Sequence, residues 1–243
     1  MKTKRINLIS GPRNISTALM YSFGNRHDTI AIDEPMYAHY LLNNEVGHPG
    51  EAETLASLPH TMSEIKKKLI FNPLPEGKSI YFIKNMAHHF EGVADRDFIL
   101  ELDNVFLIRD PYQLIASFSQ VIPNPTMLDI GLENEWELFE WLQQKGKTPI
   151  VLDSNEILRN PTKVLAELCA RLDIPFLEAM LAWKAGPRPY DGVWAPYWYA
   201  NVHQSTGFVK QETSKRTLAA NLTDLYEAAK VFYNKLSEFS IKA

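Results

Sequence analysis

The sequence predicts an α/β protein, a three-layer sandwich with helices on both faces of a central, mostly parallel sheet of about five strands. Short apolar runs alternate with segments that have the amphipathic or capped pattern of helices. Several runs are apolar at consecutive positions, as in strands buried on both faces. The predicted strands are RINLIS (5–10), TIAID (29–33), SIYFIK (79–84), NVFLIRD (104–110) and TPIVLD (148–153).

Length, composition and charge favour one domain over residues 1–243 and a small-molecule partner. A chain of 243 residues with 45% hydrophobic residues can bury one sizeable core. The net charge of −4 argues against nucleic-acid binding, which requires many phosphates to be neutralised, but permits a local basic pocket for a small anion. The sequence does not indicate an oligomeric state.

The sequence also predicts a cytoplasmic protein that does not bind membranes. Its one cysteine, Cys169, lies in the apolar helical pattern VLAELCARL, which fits a core residue in a reducing compartment. The N-terminal MKTKRINLIS is too short in its apolar part for a signal peptide. No apolar stretch approaches the roughly 20 residues that a membrane span requires.

Two segments interrupt the alternation, and both are predicted to be long functional loops. One spans 43–60 and is rich in Gly, Pro and Glu. The other spans 184–210 and is rich in aromatic residues and proline, which predicts a lid that folds over a ligand. After it, apolar residues at three- and four-residue steps predict a C-terminal helix over 211–239.

The stretch NLISGPRNISTALM (7–20) predicts an anion site. A strand leads through a Gly-Pro turn into a helix that Asn14 or Ser16 can cap, so free N–H groups and the positive end of the helix dipole meet there. Arg13 suits bidentate contacts to phosphate or sulfate, and the Ser16 and Thr17 hydroxyls can donate to the same oxygens. The Gly-Lys-[Ser/Thr] ending of the nucleoside-triphosphate loop is absent. A capped helix without a ligand remains the alternative interpretation.

The stretch RDPYQLIAS (109–117) predicts a second anion site. Arg109 follows the strand NVFLI, Asp110 and Pro111 begin a helix, and Ser117 lies two turns along it. Ligands of open α/β sheets bind beyond the carboxyl ends of the strands, so both sites can face one crevice. Two anion sites suggest a ligand with two phosphate groups. A local ion pair between Arg109 and Asp110 is the alternative.

Together, GPRNIST and RDPYQLIAS resemble the two phosphate-binding motifs of the sulfotransferases, which use 3′-phosphoadenosine 5′-phosphosulfate (PAPS). The segment LDSNEILRNPTKVLAELCARLDIPF (152–176) is also similar to a run in these enzymes, so the resemblance covers most of the chain. It implies a P-loop nucleoside-triphosphate-hydrolase-like (sulfotransferase-like) fold and PAPS as co-substrate, with no metal required. Ile15 stands where the family commonly has glycine. By resemblance, the 5′-phosphosulfate is bound by Arg13, Asn14, Ser16 and Thr17, and the 3′-phosphate by Arg109 and Ser117.

The resemblance implies sulfuryl transfer to a hydroxyl or amine of a small-molecule acceptor, which requires a base and cations that hold charge. Lys84, at the end of SIYFIK, takes the family's lysine role, and Lys84 and Arg13 would stabilise charge on the transferred group. Two candidates for the base stay open. His88 follows the lysine, as a histidine does in cytosolic members, and Glu34 follows TIAID, as a glutamate does in carbohydrate-modifying branches.

Two other functions stay open: a small-molecule kinase on the same scaffold, and a non-catalytic nucleotide-binding or interaction module. The missing Gly-Lys-[Ser/Thr] ending argues against the kinase, and a fold by itself never guarantees activity. The remaining histidines considered have no spacing typical of metal ligands, which predicts solvated or core positions. They are His39, His48, His60 and His203.

Overall fold

The computed structural model describes residues 3–44, 46–209 and 216–243. Its strands are β1 (Lys4–Ser10), β2 (Thr29–Asp33), β3 (Ile80–Met86), β4 (Asp103–Ile108) and β5 (Ile150–Asp153). They form a five-stranded sheet in the order β2-β3-β1-β4-β5, and every neighbouring pair is parallel. The predicted α/β class is confirmed, and each predicted strand is present with small differences at its ends.

The helices cover both faces of the sheet. Leu8 on β1 packs in a core with α1, α8 and α9, whereas the next residue, Ile9, packs in a core with α5, α7 and α12. Two buried faces explain why the strands are apolar at consecutive positions. The helices are α1 (Ser16–Gly24), α2 (Tyr37–Asn43), α3 (Glu51–Ser57), α4 (Met62–Lys66), α5 (Pro111–Phe118), α6 (Met127–Ile130), α7 (Leu132–Gln144), α8 (Ser154–Arg159), α9 (Pro161–Arg171), α10 (Ala195–Trp198), α11 (Ala200–His203) and α12 (Thr223–Ser237).

The C-terminal helix is shorter than the predicted 211–239. Residues 211–215 lie outside the described residues, and α12 begins only at Thr223. The segment before it reaches across to α5: the Leu218 N–H donates to the Tyr112 hydroxyl over 3.2 Å, and Arg216 Nη1 donates to Ser117 Oγ over 3.0 Å. These contacts hold the chain in an irregular conformation that the helical spacing of its apolar residues did not indicate.

The two segments predicted to be loops contain short helices. The first, 43–60, includes α3. The second, described to residue 209, includes α10 and α11 and is tied to the chain before it by a bridge between Ala182 and Gly207. Both segments still lack the long elements that cover the sheet, so they are available to shape its carboxyl edge.

Buried asparagines connect the three central strands. Asn7 Nδ2 on β1 donates to Asn104 Oδ1 on β4 over 2.9 Å, and Asn85 Nδ2 on β3 donates to Asn7 Oδ1 over 2.8 Å. Asn104 Nδ2 in turn donates to the carbonyl oxygens of Ile99 and Leu102. Asn7 therefore satisfies polar groups on both neighbouring strands inside an apolar core.

We expect Asn7→Ala to lower the free energy of unfolding by about 2–4 kcal/mol, because it leaves groups of Asn85 and Asn104 without a partner and each such group costs about 1–3 kcal/mol. Urea denaturation of wild type and variant measures the difference. Asn234→Ala, which alters an exposed residue of α12, is the control and should change stability by less than about 0.5 kcal/mol. Equal effects of the two changes would contradict the role given to Asn7.

Candidate active site

All of the site residues predicted from the sequence lie around one cavity at the carboxyl edge of the sheet. The cavity has a volume of about 330 Å³, and it is bounded by the loop after β1, the ends of β2, β3 and β4, and residues from 194–209. The predicted residues that line it are Arg13, Asn14, Ser16, Thr17, Glu34, Lys84, His88, Arg109 and Ser117. The convergence expected from the ends of parallel strands is therefore observed.

The loop between β1 and α1 has the backbone of an anion-binding turn. Arg13 and Ile15 have φ values of 60° and 59°, and the residue between them does not share this left-handed conformation. Alternation of this kind turns successive N–H groups toward one point. Ile15 thus adopts the conformation that a glycine takes easily, although for a residue with a Cβ atom it costs about 1–2 kcal/mol.

Asn14 fixes this loop to the sheet. Its Nδ2 donates to the carbonyl oxygen of Leu107 on β4 over 2.7 Å, and its side chain is fully buried. The side-chain cap expected from Asn14 or Ser16 is absent, since α1 begins at Ser16 without one. Gly11 packs so closely beneath the loop that an added Cβ would collide with the carbonyl oxygen of Ile130. The loop is therefore held from both sides.

Arginines converge on Ser117. Arg13 Nε and Arg216 Nη1 donate to its Oγ over 3.2 and 3.0 Å, and Arg109 Nη1 donates to the Arg13 carbonyl oxygen over 2.6 Å. Burial, followed by the charge of a neighbouring arginine, lowers the pKa of both Arg13 and Arg109. Within the described residues, no carboxylate lies within 4.0 Å of either of these guanidinium groups. Concentrated positive charge of this kind favours a multiply charged anion.

Lys84 is a buried cation held by carboxylates. Its ammonium donates to Glu34 Oε1, to Asp33 Oδ1 over 2.9 Å and to the Tyr199 hydroxyl over 3.0 Å, and the residue is 1% exposed. Burial alone would lower the pKa of Lys84, but the charges of Asp33 and Glu34 outweigh it and raise the pKa to about 12. The lysine therefore stays charged at neutral pH.

Glu34 contributes to the cavity a carboxyl group whose pKa lies near neutral pH. It follows β2 with a left-handed φ of 39°, and its Oε2 lies 3.8 Å from His89 Nε2. Burial raises the pKa of Glu34 to about 7, with Lys84 opposing the shift and Asp33 adding to it. A carboxylate with a pKa near the working pH can take a proton at one step and release it afterwards.

The histidines after β3 have the opposite character. His88 and His89 lie in the turn Ala87–Phe90 and are buried. Burial, together with the positive charge of Lys84 and neighbouring imidazoles, lowers the pKa of His88 to about 3 and the pKa of His89 well below its usual value. Both are neutral imidazoles at neutral pH, and the pKa of His88 lies well below that of Glu34.

Several residues of the site did not emerge from the sequence. Asp33 Oδ2 accepts from the Tyr199 hydroxyl over 2.7 Å and from the Gly192 N–H over 3.1 Å, which ties the aromatic segment to the end of β2. The sequence pattern indicates Asp33 only as the last residue of a strand. His48 lines the cavity, although solvated or core positions were predicted for it. The aromatic composition of 184–210 was the only signal for Tyr199.

Glu135 on α7 lies beneath the loop between β1 and α1. Its Oε1 accepts from the Gly11 N–H over 3.1 Å, and its Oε2 has no hydrogen bond among the described residues. The side chain is fully buried, which raises the pKa of Glu135 well above its usual value. This buried carboxyl group supports the turn that leads into the loop.

A parallel five-stranded sheet with a tight loop between its central strand and the first helix defines an α/β protein of P-loop-like fold. A family model described as "Sulfotransferase domain" matches residues 4–239. The chain belongs to the sulfotransferase domain family, and the enzyme class predicted from its two motifs is confirmed at the level of the family.

Two curated relatives come from Arabidopsis thaliana. Branched-chain-amino-acid aminotransferase-like protein 1 is 37% identical over 93% of this chain, and protein 2 of the same name is 35% identical over 95% of it. The chain spans 40% and 41% of the length of these relatives. Their names therefore describe proteins of which this chain matches less than half.

Solved structures share the fold. The sulfotransferase domain of the Synechococcus PCC 7002 olefin synthase superimposes with a TM-score of 0.58 at 20% identity, covering 96% of each chain. A sulfotransferase from Alicyclobacillus acidocaldarius superimposes with a TM-score of 0.53 at 9% identity, covering 99% of this chain and 98% of its own. At these identities the likeness concerns the arrangement of the elements.

The described residues contain neither a membrane-spanning helix nor a cluster of metal ligands. None of their helices is both long enough and apolar enough to cross a membrane. Their histidine, cysteine, aspartate and glutamate side chains form no group of three or more that could hold a metal ion.

We expect Glu135→Gln to stabilise the protein increasingly as the pH rises. Because the folded pKa of Glu135 lies above its unfolded value of 4.5, its contribution to stability is complete below that value and is lost as the pH rises through the folded pKa. Glutamine keeps the hydrogen bond from Gly11 without this dependence. Urea unfolding at about pH 5 and about pH 8 measures the difference between variant and wild type.

Glu133→Gln, on an exposed position of the same helix, is the matched control and should show no such trend. A Glu135→Gln variant whose advantage shrinks toward high pH would contradict a raised pKa at this site.

Proposed function

We propose that the protein transfers the sulfuryl group of PAPS to a hydroxyl or amine of a small-molecule acceptor. The observation that carries the proposal is the order of the sheet. Along β2-β3-β1-β4, the carboxyl edge presents Glu34, then Lys84, then the loop between β1 and α1, then Arg109. This row matches the order of groups in the reaction: acceptor, transferred group, 5′-phosphate and 3′-phosphate.

Glu34 would take the proton of the acceptor as the acceptor oxygen or nitrogen bonds to sulfur and the bond from sulfur to the 5′-phosphate oxygen breaks. Adenosine 3′,5′-bisphosphate is then the second product. Lys84 and Arg13 would stabilise the charge that develops on the transferred group and the departing phosphate. The lowered pKa of His88, which makes its imidazole a weak base, supports Glu34 as the base.

The 3′-phosphate would lie among Arg109, Ser117 and Arg13, with Arg216 joining them through Ser117. The partly buried and mutually repelling guanidinium groups support this assignment, because a phosphate relieves both their repulsion and their lost hydration. The backbone of the loop and the hydroxyls of Ser16 and Thr17 would hold the 5′-phosphosulfate.

Asp33 and Tyr199 would act as positioning residues for Lys84. Each is within hydrogen-bonding distance of the lysine ammonium and of the other. These hydrogen bonds would orient the Lys84 ammonium at the cavity. The charge of Asp33 also helps to keep the pKa of Glu34 high.

Adenosine 3′,5′-bisphosphate should bind wild type more tightly than AMP or ATP with magnesium. Arg109→Ala should weaken the bisphosphate by about 10- to 100-fold, as expected for loss of charge-assisted hydrogen bonds, and should change AMP little because AMP has no 3′-phosphate. Calorimetric titration measures all three ligands. Arg171→Ala, at an exposed residue of α9, is the control.

Equal affinity for AMP and the bisphosphate in wild type would sink the two-phosphate site. Tighter binding of ATP with magnesium would favour the kinase, and bisphosphate binding without any transfer to acceptors would favour the non-catalytic module.

The Glu34 carboxyl should titrate with a pKa of about 7 in wild type and lower in Asp33→Asn, because Asp33 contributes to raising it. Carbon-13 NMR of protein labelled in its glutamate side chains follows the titration, and Glu34→Gln identifies the resonance. Asp224→Asn, on an exposed position of α12, is the control. A Glu34 pKa near 4.5 in wild type, or one that rises in Asp33→Asn, would remove this carboxylate as the base.

A further inference from the structure

One wall of the cavity consists of aromatic rings and imidazoles. The histidine–aromatic wall begins beside the proposed base: His89 Nε2 lies 3.8 Å from Glu34 Oε2, and α2 begins three residues after Glu34. The wall lies at the ends of β2 and β3, on the opposite side of the central strand from Arg109. The side chains that form it are Tyr37, His48, His88, His89, Trp194 and Trp198.

The rings of the wall contact each other and form one continuous surface. Tyr37 stacks on His89 with centroids 4.8 Å apart and packs edge-on against Trp194 at 5.1 Å. His48 packs edge-on against both His88 at 6.4 Å and Trp198 at 6.2 Å. A surface of ring faces and edges favours a flat apolar partner, which gains from both burial and ring packing.

The wall carries no charge at neutral pH. Burial is the first cause that lowers the pKa of His48, His88 and His89, and burial likewise raises the pKa of Tyr37 above its usual range. Among the described residues that line the cavity, the charged side chains next to the wall are Glu34 and Lys84, and these two already pair with each other.

The imidazoles indicate how the wall treats a charged ligand. A positive charge on His88 or His89 is disfavoured by lost hydration and by the charge of Lys84. An ammonium group placed against the same wall meets the same two penalties. A carboxylate would also lose its hydration there, and the nearest cation is engaged by Asp33 and Glu34. Both charged classes are therefore disfavoured.

The wall does offer hydrogen bonds. His48 Nδ1 is 2.9 Å from the Tyr37 hydroxyl, whereas His88 lines the cavity and its Nδ1 has no hydrogen-bond partner within the described residues. A neutral imidazole presents one donor and one acceptor. An uncharged polar group on the ligand, in addition to the reacting one, can be satisfied there.

We propose that the acceptor is an uncharged alcohol with a flat, apolar body, bound with its hydroxyl at Glu34 and its body against the histidine–aromatic wall. The inference rests on the proposed function and narrows it: of the hydroxyl and amine acceptors considered, the wall selects the hydroxyl class. It also gives the imidazoles a role in selecting the acceptor, separate from proton transfer.

The test uses three probes of one shape: 2-naphthylmethanol, 2-naphthylmethylammonium and 2-naphthoate. Each is titrated calorimetrically at neutral pH into protein saturated with adenosine 3′,5′-bisphosphate. The alcohol should bind at least about tenfold more tightly than either charged probe. Equal or tighter binding of the ammonium or the carboxylate overturns the proposal, and so does a failure of all three to bind.

A variant of the wall should shift the selectivity toward the ammonium. His48→Glu places a negative charge on the wall at a half-buried position and should raise the affinity of the ammonium relative to the alcohol by about tenfold or more. His27→Glu makes the same change at an exposed residue outside the cavity and should leave the ratio unchanged. An unchanged ratio in His48→Glu that still binds the bisphosphate overturns the proposal.

Binding of the bisphosphate distinguishes a failure of the proposed function from a failure of the proposed acceptor. If the bisphosphate does not bind wild type, the proposed function fails. If it binds and the alcohol preference is absent, only the assignment of the acceptor fails.

Discussion

The buried ammonium of Lys84 is the constraint on which the carboxyl edge of the sheet depends. An ammonium group in an apolar core is stable only with partners of opposite charge, and removing one partner of such a group costs about 3–5 kcal/mol. Its partners come from distant parts of the chain: Asp33 and Glu34 at the end of β2, and Tyr199 in the aromatic segment. The Lys84 side chain therefore links the end of β2 to β3 and holds the aromatic segment over the ends of both strands.

The strand order turns this local arrangement into a linear site. β1 lies at the centre of the sheet, so the loop after it is flanked by β3 and β4. The buried carboxylates lie on one side of the loop and the arginines around Ser117 on the other. The carboxylates pair with Lys84 and are kept apart from the arginines, so they do not neutralise the arginines, and each end keeps its own ligand preference.

Local patterns in the sequence predicted the strands, the α/β class and the convergence of Arg13, Lys84 and Arg109, because strand burial and the meeting of strand ends follow from short-range periodicity and topology. They indicated the aromatic segment but not the contact of Tyr199, whose hydroxyl donates to Asp33 from 166 positions further along the chain. The apolar spacing predicts a helix through Arg216, whereas the contacts of Arg216 with Ser117 and of Leu218 with Tyr112 hold an irregular backbone there. Contacts between distant segments leave no periodic signal.

Of the non-glycine residues that the structure describes with a left-handed φ, Arg13, Ile15 and Glu34 line the cavity and Asp173 does not. Ile15 and Glu34 both take a left-handed backbone, which is rare for residues with a Cβ atom, and both line the cavity. Such conformations persist only where the surrounding structure determines them. Here the anchors are visible: Asn14 ties the loop to β4, and the Glu34 N–H donates to the Lys84 carbonyl oxygen over 2.7 Å. Because a glycine would adopt these conformations with less strain, their presence at Ile15 and Glu34 indicates that the side chains themselves are needed, one packed against the core beneath α1 and the other on the lysine.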